Sequence, residues 1–186
     1  KEKKLINEIK QELEKVIADN RVQERLESAL KGNAYQEAWC KPLLALLEYN
    51  QTDSPSFINL SDRNIHAEHV LPQSFDEVYG WKHIIEDEKD GHEYVHTLGN
   101  LTLLSGKKNI DASNDSFENK VSIYQGKGKH GTSDDKVSSF RITQNIFDDF
   151  NGKKFELWDF GVMEARQIAL IEEVERILQV DLERLK

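Results

Sequence analysis

Residues 64–73 read Asn-Ile-His-Ala-Glu-His-Val-Leu-Pro-Gln, and residues 98–104 read Leu-Gly-Asn-Leu-Thr-Leu-Leu. The first is a short run with Ile, Val and Leu that Pro72 must end, because a proline nitrogen has no hydrogen to give a sheet. A strand is therefore predicted over Asn64 to Leu71. The second run, entered through Gly99 and rich in Leu and Thr, predicts another strand over Leu98 to Leu104. Between them, Ser74 to Tyr94 mixes aromatics with the acidic run Glu86-Asp87-Glu88 and reads as a surface excursion. Beyond them, Ser105 to about Tyr124 carries apolar Ile110, Phe117, Val121 and Tyr124 and predicts a helix. The order is strand, long loop, strand, helix. It puts His69 at the end of the first strand, Asn100 at the entry to the second, and Asn109 in the first turns of the helix.

Helical patterns flank this centre. Leu5, Ile6, Ile9, Leu13, Val16 and Ile17 recur at three- and four-residue steps, with Val22, Leu26 and Leu30 prolonging the stripe. One amphipathic helix is predicted over residues 3–30, stopped by Gly32-Asn33, its stripe a docking face. A second helix, about residues 34–49, carries Trp39, Leu43, Leu44, Leu46 and Leu47; Pro42 kinks it or moves its start towards Lys41. Asn50 to Ser61, rich in Asn, Ser, Asp and Pro, reads as a loop. A long helix from about Val162 to Leu185 is predicted to put Ile168, Ile171, Val174, Ile177 and Leu178 on one side. The expected class is α+β, with a helical region 1–61, a core 62–125, and a basic loop with a helical tail 126–186.

Composition narrows the function classes. The chain has 186 residues, 38% hydrophobic and 32% charged, and a formal net charge of -9. That is globular and charge-rich, and long enough to bury a core. A single cysteine, Cys40, excludes a disulfide framework and a Cys-based zinc ribbon, and fits a reducing, cytoplasmic setting. No apolar run approaches the roughly 20 residues that span a bilayer, so no membrane partner is expected. The chain opens on Lys1 without an initiator Met, which leads to the expectation of a piece of a longer protein. An acidic chain argues against nucleic acid as a partner, but the charge is uneven. Residues 105–141 hold seven basic side chains against five acidic and are the only net positive stretch. Within it, 125–138 reads as a flexible basic loop.

The residues at the centre suit phosphodiester hydrolysis. Cutting that bond needs an activated water, stabilisation of added negative charge, and protection of the departing oxygen. Histidine can take a proton at neutral pH. A carboxylate and an amide oxygen are hard donors suited to Mg²⁺ or Mn²⁺ with several waters retained. Glu68 could hold the metal while His69 activates water. Neighbours on a regular strand point to opposite faces, so both can serve one site only where the strand ends, and Pro72 makes an ending plausible.

The string Glu-His-Val-Leu-Pro-Gln (68–73), then Gly-Asn-Leu-Thr-Leu-Leu (99–104) and a downstream Asn, resembles the HNH, or ββα-metal (His-Me finger), nucleases. It is most similar to the C-terminal nuclease domain of GmrSD-type, modification-dependent restriction enzymes, and a comparable string occurs in the HNH domain of CRISPR effector nucleases. The resemblance covers about Asn64 to Tyr124, and more weakly the helix with Trp39 and Leu44 and the segment Trp158 to Arg166. It implies a ββα-metal core wrapped by helices from both ends. It implies His69 as general base, Glu68 and Asn109 as metal ligands for Mg²⁺ or Mn²⁺, and Asn100 as the residue that orients the base's loop. Glu at 68 is one methylene longer than the Asp usual there, and Asn109 departs from a literal final His. The implied activity is DNA cleavage leaving 5′-phosphate and 3′-hydroxyl ends, in a prokaryotic defence enzyme. A sensing, NTPase-like domain preceding it in the parent protein is the implied partner.

Plainer readings stand beside these. His69 is also readable as an ordinary strand histidine, Asn100 as a turn residue after Gly99, and Asn109 as one of several asparagines with Asn114 and Asn119. His66 is a further candidate. His83, His92 and His96 read as a solvated loop, and Trp158 and Arg166 as structural. Lys107 and Lys108, followed by Lys120, Lys127, Lys129, His130, Lys136 and Arg141, form either a solvated face or a strip contacting phosphates. An RNA-cutting effector and a catalytically idle nucleic-acid-binding module are the alternatives to a DNA endonuclease.

Overall fold

The computed structural model describes residues 2–19, 21–127 and 136–178. Its elements are α1 (Glu2–Asp19), α2 (Val22–Lys31), α3 (Cys40–Tyr49), β1 (Ile65–His69), α4 (Lys82–Ile85), α5 (Gly91–Val95), β2 (Leu101–Ser105), α6 (Gly106–Ala112), α7 (Phe117–Tyr124), α8 (Arg141–Asn151) and α9 (Phe160–Leu178). The class is α+β, as expected. Among the described residues no helix is long and apolar enough to cross a membrane.

The two strands pair antiparallel, with Ile65 opposite Ser105, Ala67 opposite Leu103 and His69 opposite Leu101. Alternation along β2 divides the interior. Leu101 and Leu103 join a cluster with Leu30, Leu44, Leu47, Ile142 and Val174 from the flanking helices. Leu104 joins the other cluster, with Leu71, Trp81, Val121, Tyr124 and Trp158. α6 starts directly after β2, and the Gly106 amide donates to the Asn64 carbonyl at 2.6 Å, tying the helix start to the mouth of the hairpin.

Several expectations are corrected. The predicted single helix over 3–30 is two, because Arg21 takes a left-handed backbone (φ 48°) between α1 and α2. Leu5, Ile6, Ile9 and Leu13 remain about half exposed, so the α1 stripe meets no core among the described residues. Pro42 sits in the first turn of α3, where the missing amide hydrogen costs no helical bond. The helix predicted from Ser105 to Tyr124 breaks at Ser113 (φ 40°) into α6 and α7. The excursion 74–94 is no mere surface loop: Phe75, Trp81 and Ile84 are buried in the first cluster. On α9, Ile171 and Val174 face inward while Ile168 is 58% exposed, and the predicted continuation to Leu185 lies outside the described residues.

α8 was not predicted, although Ile142, Ile146 and Phe147 are buried along one side. Its start is stabilised from another element. The Glu48 carboxylate of α3 accepts the Arg141 and Ile142 amides at 2.8 and 2.9 Å, a charged cap on an otherwise open helix end.

Candidate active site

β1 ends at His69, and the chain turns away through Val70, Leu71 and Pro72. The turn is held by Asn100, which is wholly buried. Asn100 Nδ2 donates to the Leu71 carbonyl at 2.9 Å and the Val95 carbonyl at 2.8 Å. Its Oδ1 accepts the Leu71 amide at 2.7 Å and the Trp158 indole at 3.1 Å. Both ends of the amide are engaged, so Asn100 is a strut beneath the strand end and is sealed from any substrate. The turn carrying Asn100 is itself anchored. A methyl group at Gly99 would lie 2.2 Å from the Met163 carbonyl, so only glycine allows α9 this close. Arg166 donates to the Gly99 and Leu101 carbonyls at 2.7 and 2.8 Å. Burial depresses its guanidinium to about 10, with Tyr124 and Asp149 opposing.

Above this strut lies a polar pocket of about 350 Å³. Its walls include Glu68, His69, Gln73, Asn109, His66 and Lys120. Strand parity does not separate Glu68 from His69, because β1 stops at the second of them. Three of the four residues singled out in the sequence therefore meet at one pocket, with the fourth beneath it.

The charges there are specific. Glu68 Oε1 lies 2.7 Å from the Lys120 ammonium and 3.4 Å from the Tyr124 hydroxyl, and the ammonium also donates to the His69 carbonyl at 2.6 Å. Burial raises the Glu68 carboxyl and lowers the Lys120 ammonium, and their contact opposes both shifts. Lys120 is thus no part of an external basic strip. Burial, then His96, then Lys120 depress the His69 imidazole to about 3, so the ring is uncharged at neutral pH. Its Nε2 lies 3.0 Å from His96 Nδ1, and its Nδ1 lies 3.5 Å from the Gln73 amide nitrogen. Burial and then His92 lower the His96 imidazole as well.

His96 and Tyr35 are the residues that the sequence reading missed. His96 is no solvated-loop residue; it follows α5 and meets His69 directly. Tyr35, between α2 and α3, has its ring 4.1 Å from that of His69. Neither carries a local motif, and only the tertiary fold brings residues 35, 69 and 96 together. His83 meets the Trp158 carbonyl at 3.2 Å and His92 packs on Phe75, so neither belongs to the pocket.

Of the basic residues, Lys107 and Lys127 are exposed. Lys108 is corrected: it is buried, its ammonium donating to the Ile123 carbonyl at 2.7 Å, so it ties α6 to α7 and cannot reach a phosphate. Lys129 and His130 lie outside the described residues.

Among the described residues no three His, Cys, Asp or Glu side chains group closely enough to hold a metal. The pocket instead offers one carboxylate, Glu68, and the side-chain amides of Asn109, Asn114 and Gln73 on polar walls with room for water. Such a donor set fits a Mg²⁺ or Mn²⁺ ion that keeps most of its shell as water and substrate oxygens, and fits a structural zinc poorly.

No curated protein and no solved structure matches the chain. The family described as GmrSD restriction endonucleases, C-terminal domain, matches residues 20–173, which takes in every element from α2 to α8 and most of α9. The chain belongs to that family of GmrSD restriction endonuclease C-terminal domains.

Proposed function

We propose that this domain is a metal-dependent endonuclease of the HNH type, with β1, β2 and α6 as its ββα core, and that it hydrolyses DNA phosphodiester bonds. The observation that carries the reading is the convergence of Glu68, His69 and Asn109 on one polar pocket at the end of β1. A divalent ion bound there would supply positive charge to the scissile phosphate and the departing 3′ oxygen.

The chain's own groups do the rest. Glu68 and Asn109 offer the oxygen donors, and Lys120 fixes the Glu68 carboxylate at 2.7 Å. The uncharged His69 imidazole takes the proton of the attacking water. In the free protein it is a weak base, because burial, His96 and Lys120 all disfavour the imidazolium. An anionic phosphate in the pocket offsets part of that penalty, so basicity rises when substrate is bound. Asn100 acts on the reaction only by holding the chain that follows His69. Lys107 and Lys127 contact flanking phosphates, giving salt-sensitive affinity without reading sequence. Target choice belongs to other parts of the restriction enzyme, with a sensing domain in the same polypeptide as the partner.

Calorimetry with Mn²⁺ tests the metal: binding should be lost in Glu68→Gln and weakened in Asn109→Ala. Binding unchanged in both variants would remove the assignment. Competition between plasmid DNA and RNA of equal phosphate content tests the substrate, and preferential RNA cleavage would move the reading to an RNA-cutting effector.

A further inference from the structure

His69 Nε2 and His96 Nδ1 are 3.0 Å apart, hydrogen-bond distance for two ring nitrogens. Two ring nitrogens this close cannot both carry a hydrogen, so one donates and the other accepts. Two arrangements satisfy this: His69 donates through Nε2–H, or His96 donates through Nδ1–H and leaves the hydrogen of His69 on its Nδ1.

The far side of His69 separates them. Its Nδ1 faces the amide nitrogen of Gln73 at 3.5 Å, a donor that can meet only a lone pair. Hydrogen on Nε2 of His69, accepted by His96 Nδ1, is the arrangement that satisfies both contacts. Gln73 lines the pocket and His96 does not, so the nitrogen left with a lone pair is on the pocket side of the ring.

His96 is itself held in place. Its carbonyl accepts the Ala34 and Tyr35 amides at 2.9 and 3.2 Å. The Tyr35 ring stacks on the His96 ring at 5.5 Å, only 14° from parallel, while lying 4.1 Å from His69. The segment between α2 and α3 thus clamps both imidazoles, which is more support than a solvated loop residue would receive.

We propose that His96 is a positioning residue for DNA cleavage: it accepts the Nε2 hydrogen of His69 and so keeps the Nδ1 lone pair facing the pocket. The inference rests on the reading of His69 as the base that receives the proton of water. That proton goes to Nδ1, while the Nε2 hydrogen stays shared with His96.

The test uses the whole chain with supercoiled plasmid and Mn²⁺. His96→Leu should lower kcat by about 10²–10⁴-fold with KM little changed, the scale seen when a catalytic histidine is left in the wrong tautomer. His96→Asn should recover to within about tenfold of wild type, because its side-chain oxygen sits near the lost Nδ1 and can accept. Equal losses in the two variants, or a change confined to KM, overturn the proposal. A second readout needs no activity. Long-range ¹H–¹⁵N spectra should show wild-type His69 protonated on Nε2 and a mixture of tautomers in His96→Leu. A wild-type His69 protonated on Nδ1 overturns the proposal whatever the rates. If His69→Ala cuts as fast as wild type, the base reading falls and with it the role of His96 in cleavage.

Discussion

Replacing Asn100 by aspartate keeps the size of the side chain and inverts one end of its hydrogen bonding. The carbonyl end, which accepts the Leu71 amide and the Trp158 indole, is preserved. The donor end becomes an oxygen facing the carbonyls of Leu71 and Val95, which Nδ2 now meets at 2.9 and 2.8 Å. Two buried carbonyls lose their donor, at about 1–3 kcal/mol each, and a wholly buried carboxylate adds a desolvation cost. We expect Asn100→Asp to lose about 3–5 kcal/mol, a large share of the roughly 5–15 kcal/mol that holds a typical domain. Lower pH should narrow the loss, because a protonated carboxyl regains one donor. Urea unfolding followed by far-ultraviolet circular dichroism measures it. A loss below about 1 kcal/mol with an unchanged m-value would refute the strut.

Three further outcomes concern other side chains. Lys120→Met should cost about 3–5 kcal/mol by leaving the Glu68 carboxylate buried without its partner, and the double variant Glu68→Gln, Lys120→Met should recover much of it; a double-mutant cycle by urea unfolding reads the coupling. Burial pushes the Cys40 thiol up from its ordinary 9.0 to about 11. The unfolded chain ionises first, so this contribution is intact below pH 9 and is lost as pH rises to 11, at up to about 1.4 kcal/mol per unit. Stability curves of wild type and Cys40→Ala should therefore converge over that window, and parallel curves would contradict the shift. Lys127→Ala should reduce the slope of log affinity for DNA against log salt by about 1, measured by fluorescence anisotropy; an unchanged slope would place Lys127 away from the phosphates.

The hairpin and its helix were legible because their signals are local. Pro72 closes the segment that holds one strand, the Leu- and Thr-rich run after Asn100 forms the other, with Leu98–Asn100 a 3-10 turn ahead of it, and the hydrophobic pattern resumes helical spacing after Ser105. The placing of Glu68, His69 and Asn109 at one pocket followed from that order. What stayed hidden depends on distant residues. His96 carries no motif and meets His69 only because the fold brings the residue after α5, held by the Ala34 and Tyr35 amides, to the end of β1. Lys120 reads as one more basic side chain until the fold buries it against Glu68. Lys108 likewise stands next to exposed Lys107, yet α6 turns it towards Ile123. The breaks at Arg21 and Ser113 use left-handed backbone at residues other than glycine, where composition gives no warning. α8 starts on a cap supplied by Glu48, far away in the chain.

In the proposed reaction the imidazole at the end of β1 receives the proton of the attacking water. Single-turnover nicking of supercoiled plasmid in Mn²⁺, by wild type and by a folded His69→Ala variant, measures this most directly. The variant should nick at a rate at least about 10²-fold lower, with DNA affinity little changed. Equal rates for the two proteins would contradict it.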